Sequence, residues 1–138
     1  MLGASFSHEN AANGTGSMIK SINWGTKLSS NNVSYGFVPG GVAFATVSGT
    51  INPTAPWNAY EMQQAAKALA TFSAFTNLKF TRPADPLDAY FKLALFNSGG
   101  SGLLGFMSPP GENWEGRGAF AWDGGGWDYN GGGGLEPG

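Results

Sequence analysis

The sequence predicts an α/β (α+β) fold, with a mixed, twisted β-sheet of about five strands and one long helix packed on it. Three observations carry this. In "WNAYEMQQAAKALATFSAFTN" (57–77), Met62, Ala65, Ala66, Leu69 and Phe72 recur at helical spacing, with Phe75 at the next step. Around it lie short segments with strand alternation, each bounded by Gly, Pro, Asn or Asp. Their order, β–α–β–β–β–β, leaves one helix to cover one face of a sheet.

The elements follow in order. "VSYGFV" (33–38) puts Val33, Tyr35 and Phe37 on one face of a strand, and "PGG" (39–41) breaks it. "VAFATVSGTI" (42–51) reads as its extension or as a hairpin with it. Asn58 and Glu61 form an Asn version of the capping box at the start of the helix. Asn77 suits a left-handed closing residue at its end. "LKFTR" (78–82) leaves the helix directly as a strand, "PADPLD" (83–88) is a loop, and "YFKLALF" (90–96) is the next strand. "LLGFMS" (103–108) is a short strand stopped by Pro109-Pro110, and "GAFAWD" (118–123) is the last. Upstream, residues 1–16 read as a polar, mobile leader, and "SMIKSINWGTKL" (17–28) as a short amphipathic anchor carrying Met18, Ile19, Ile22 and Trp24.

Composition narrows the functional classes. The chain has 138 residues, enough for one domain with a core. Aromatic residues make up 14%, which argues against disorder. Charged residues make up 12% and the net charge is -2, so there is no basic footprint for nucleic acid. No cysteine is present, which removes disulfides, thiolate metal sites and a Cys nucleophile. No apolar run is long enough to span a membrane, and the N-terminus lacks the charged and apolar regions of a secretory signal.

The chemical inventory is thin. The single histidine, His8, lies in the leader, so no Ser-His-Asp set can be built unless His8 folds back, and the three protein ligands of a catalytic zinc cannot be supplied. Glu112, Glu115, Asp123 and Asp128 interleave with Trp114, Trp122 and Trp127. Aromatic platforms with paired carboxylates would suit a carbohydrate site or a glycosidase. The plainer reading makes the acids loop solubilisers and the tryptophans core. "GGGWDYNGGGG" departs from the calcium-binding nonapeptide repeat, because Trp127 and Tyr129 stand where Gly and Asp are needed.

The collinear set of segments resembles the start of the catalytic domain in serralysin-type and matrixin-type metalloproteases, both metzincins. "NVSYGFV" (32–38) resembles their first strand. "SINWGTKL" before it is similar to the tryptophan-containing lead-in of the serralysins, which favours that branch. "EMQQAAKALATFSAFTNLKFTR" resembles the first helix running into the second strand, with Phe72 near the usual Trp. "YFKLALFNS", "GLLGFMSPPG" and "GRGAFAWDGGGWDY" resemble the third strand, the edge strand and the fifth strand. The match covers about residues 17–138.

The resemblance implies an N-terminal subdomain of a secreted zinc metalloendopeptidase, with zinc and calcium as the intact protein's cofactors and a protein or peptide as substrate. It implies export without an N-terminal signal peptide, as in type I secretion. The edge strand would align substrate through its backbone at Leu103, Leu104, Gly105, Phe106 and Met107, a form of β-augmentation. The alternative is that Leu103, Leu104 and Phe106 fill the core. The zinc motif of the family, HExxHxxGxxH, would lie beyond Gly138, so no catalytic or metal-binding residue carries over to this sequence. A chain of this kind should be inactive alone. Its natural partner would be the C-terminal half of its own domain, and apolar sheet surface should stand exposed where a second covering helix is missing. The competing expectation is a non-catalytic glycan- or peptide-binding module that uses the Trp/Gly-rich C-terminal region.

Overall fold

The computed structural model describes residues 6–8 and 26–124. A short antiparallel ladder joins β1 (Phe6–His8) to β2 (Thr26–Leu28). The central sheet contains β3 (Asn32–Phe37), β6 (Lys79–Thr81), β7 (Phe91–Phe96), β8 (Gly105–Met107) and β9 (Arg117–Ala121), in the order β6-β3-β7-β9-β8. Neighbours run parallel except β8, which lies antiparallel to β9 at the edge. This is the mixed five-stranded sheet with one packed helix that the sequence predicts.

Strand β3 is shared. Its first half, Asn32–Ser34, pairs with β6, and Tyr35–Phe37 pairs with β7. Successive strand side chains point to opposite faces, and both faces are covered. On one face Tyr35, Phe37 and Leu93 form a buried cluster against Met62, Ala65 and Leu69 of α1 (Ala59–Phe75). On the other face Val38, Phe44 and Ala94 pack with Val42 and Ile51. That second cover is a hairpin of β4 (Phe44–Thr46) and β5 (Gly49–Ile51), which pair with each other. The 42–51 segment therefore neither extends β3 nor pairs with it. Its apolar residues are spent covering the second face.

Gly36 shows why the sheet accepts the following loop. A Cβ there would collide with the backbone of Pro86, which opens a short 3-10 turn, Pro86–Asp88. Asp85 caps that turn by accepting from Leu87 N–H at 2.8 Å.

Helix α1 begins as the sequence requires. Asn58 accepts from the Glu61 backbone at 2.8 Å, and the Glu61 carboxylate accepts from Asn58 N–H at 2.7 Å. Trp57 and Met62 hold the staple positions on either side of this box and pack on the same buried cluster. The C-terminus differs from expectation. The cap is Thr76 in extended backbone, not a left-handed Asn77. The Thr76 hydroxyl donates back to Phe72 O at 2.7 Å and accepts from Leu78 N–H at 3.2 Å, so a side chain supplies the bonds that a left-handed cap would have made. Phe72 and Phe75, expected on the buried stripe, are 61% and 87% exposed.

Of the expected anchor at 17–28, only its end is described, and it is strand β2. The rest of that segment lies outside the described residues, as does the leader apart from β1.

Candidate functional site

Among the described residues β8 makes one of the two edges of the central sheet, and hydrogen bonding fixes which of its groups face outward. Ala121 N–H donates to Leu104 O at 2.9 Å, and Ser108 N–H donates to Arg117 O at 2.9 Å. In an antiparallel ladder the bonded residues alternate with unbonded ones. Leu104, Phe106 and Ser108 thus turn their backbone groups toward β9. Gly105 and Met107 turn theirs away from it, beyond the last strand of the sheet.

This divides the five residues expected to align a substrate. Gly105 and Met107 present N–H and C=O groups outward, while the backbone of Phe106 is occupied by β9. Leu103 and Leu104 precede the strand, and both are exposed, so they do not fill the core. The Phe106 ring packs against Phe96 at 5.9 Å. Gly105 is required by close approach, because a Cβ would stand 2.8 Å from Ala119 O. Pro109-Pro110 ends the strand where the sequence predicts.

Beside this edge, on the α1 side of the sheet, lies an apolar groove of about 380 Å³. Trp57, Leu69, Phe91, Leu93, Met107 and Phe120 line it, with Gln64 and Ala68 of α1 also contributing. Trp57 is held firmly. Its indole N–H donates to Leu93 O at 3.0 Å, and its ring packs on Phe37 at 4.9 Å and Phe120 at 6.1 Å. Exposed apolar sheet surface is expected from the sequence, but the position and lining of the groove are not. Its residues lie on α1, β7, β8 and β9 and the segment before the helix, so no local spacing reports it. The one available signal was Trp57 at the staple position.

The loop between β8 and β9 is braced at one point. The Arg117 guanidinium lies 5.0 Å from the Phe44 ring on the β4–β5 hairpin and 4.5 Å from the Trp114 ring. It also donates to Ala45 O at 2.9 Å. Trp114 takes a positive φ of 64°, which is uncommon for a bulky residue. Burial, above all, lowers the Arg117 pKa. Burial first and Arg117 second lower that of Lys92, against an opposing pull from Asp88. Burial, with Glu115 adding to it, pushes the Tyr90 phenol up to about 12.

The candidate carboxylates do not converge on one site. Asp123 accepts from Ser98 N–H at 2.7 Å and from the Ser98 hydroxyl at 3.0 Å. The Ser98 backbone bond leads the causes that hold its carboxyl below the ordinary value. Glu115 accepts from Gly111 N–H at 3.1 Å within its own loop. Glu112 is exposed in the same loop. Asp128 and Trp127 lie outside the described residues. His8 falls in β1, opposite Thr26. Among the described residues, no group of three or more His, Cys, Asp or Glu side chains could hold a metal ion, and no helix is long and apolar enough to cross a membrane.

Comparison of the chain with known protein families, curated proteins and solved structures finds no match. The geometry of the edge and groove therefore carries the functional argument.

Proposed function

We propose that this chain is the N-terminal, substrate-aligning part of a secreted zinc metalloendopeptidase of the serralysin-like, metzincin type. The observation that carries the reading is the antiparallel edge strand Gly105–Met107, with two residues offering backbone outward beside an apolar groove. Further support comes from the collinear segments, which fall in one sheet with the helix on one face.

In this reading a peptide in extended conformation adds to β8 as a further strand. Gly105 and Met107 exchange hydrogen bonds with every second residue of the peptide, which fixes its direction and register without reading its sequence. The groove is the apolar surface left beside α1 where a second covering helix would sit. Zinc polarises the scissile carbonyl and activates a water in enzymes of this class. The described residues offer no donor set for it, so no catalytic step is assigned to them. Zinc ligands, the general-base Glu and any calcium-binding repeats belong in this reading to sequence beyond Gly138, and export of the type I kind belongs to the same reading.

The test is to read the coding frame past Gly138. The proposal expects HExxH within the next few dozen residues, and it fails if that stretch lacks the motif.

A second reading is a non-catalytic peptide-binding module, favoured by an edge and groove formed wholly from this chain. It expects the 138-residue chain to bind an extended peptide saturably, with no HExxH in the frame. Absence of saturable binding sinks it.

A further inference from the structure

The chemistry of the edge fits another occupant. We propose that two copies of this chain pair through β8 as an antiparallel, two-fold dimer, giving one sheet continuous across both copies. This does not rest on the peptidase reading. If both hold, a second copy and a peptide compete for the same backbone groups.

Self-pairing is favoured first by charge. Residues 93–111 contain no charged side chain, so a two-fold operation about β8 sets no like charges against each other along this stretch. Edge strands are commonly protected by an inward Lys, a Pro or a covering element. Strand β8 is short and Pro109-Pro110 follow soon after it, but the strand itself has neither a charge nor a Pro, and no described strand pairs beyond it. Leu103 and Leu104 before it and Met107 at its end are apolar and exposed.

Register follows from the outward groups. With the two-fold axis at Phe106, Gly105 of one copy faces the partner's Met107, and Met107 faces the partner's Gly105. Among the described residues the outward N–H and C=O groups of both positions meet no partner, so this register forms four hydrogen bonds. Centring the axis on Gly105 or on Met107 leaves only one such pair within the strand. In the favoured register Phe106 stands opposite the partner's Phe106 at a closely spaced, non-hydrogen-bonded site. Aromatic cross-strand pairs are stabilising at such sites. Phe106 already packs on Phe96, so the contact extends an aromatic row across the axis. An isologous contact of this kind closes on itself as a dimer. With only three residues in the strand, the association belongs in the micromolar range, on the order of 1–100 µM.

The test is sedimentation velocity on the full 138-residue chain over about 1–300 µM, a range chosen to bracket that affinity. The expected result is a concentration-dependent monomer–dimer equilibrium. Met107→Pro removes one outward donor from each copy but leaves the ladder to β9 intact, as an edge position permits. Met107→Lys sets a cation at the edge of each copy. Each variant should weaken dimerisation at least about tenfold, with thermal melting of the monomer retained. If Met107→Pro fails to fold, Met107→Lys decides. A chain that stays monomeric over the whole range overturns the proposal, and so does a dimer that survives in the folded variants.

Discussion

The Tyr90 hydroxyl is buried without a hydrogen-bond partner among the described residues. An unpaired buried hydroxyl is unfavourable, so its removal should be neutral or stabilising. Tyr90→Phe is expected to leave the melting temperature unchanged or raise it. A clear loss of stability would show that the hydroxyl is satisfied in solution. Asp123 works in the opposite sense. Its pKa is lowered in the fold, so its bonds to Ser98 stabilise above the unfolded value of 3.8 and are lost as pH falls through the lower folded value. Wild type should thus exceed Asp123→Asn in stability near neutral pH, and acid unfolding curves should show the gap closing below about pH 4. Little of this was legible in the sequence. Asp123 is 25 residues from Ser98, and its role depends on the β7 and β9 ends lying side by side. Read locally, it was one acid among several near tryptophan.

Individual elements were more legible, and the reasons differ along α1. Its start is local chemistry, and Asn58 with Glu61 forms the reciprocal box that the spacing predicts. Asn58→Ala should cost about 1–2 kcal/mol, measurable by urea unfolding, and Glu61→Ala should cost a similar amount through the other half of the box. Its end is tertiary. Phe72 keeps the spacing of the buried stripe, but no described element covers the last turns, and Phe75 stands about 120° around the helix from Leu69. Periodicity identifies the face a helix could bury, but the length of the opposing layer decides how much is buried. The same limit applied to 42–51, where the strand pattern was correct and the partner was not. Strand β8 was legible as a short strand before Pro-Pro, but alternation of its outward groups required the register with β9. At this scale Gly36→Ala is the sharpest test of packing. It forces a methyl onto the Pro86 backbone, and the expected outcome is a loss of several kcal/mol or failure to fold.

For the molecule as a whole, the consequence of the groove is exposed apolar surface. An apolar fluorescent dye should bind the folded chain, and Ala68→Phe, at an exposed groove-lining position on α1, should reduce that binding while leaving cooperative melting. No dye binding by the folded wild type would mean that the groove is closed in solution. Strand order carries one more consequence. Apart from β8 with β9, every pairing in the central sheet joins strands well separated in sequence: β3 waits for β6 and β7, and β7 for β9. A chain emerging from the ribosome therefore holds β3, Asn32–Phe37, unpaired on both sides while the next several dozen residues are made. Such long-range parallel pairing is slow and leaves apolar strands open to misassociation. Helix α1 can form in the interval from its own local signals and shelter one side of that strand. The capping box at Asn58 thus starts, from local signals alone, the cover over the Tyr35 and Phe37 face of a strand that cannot yet pair.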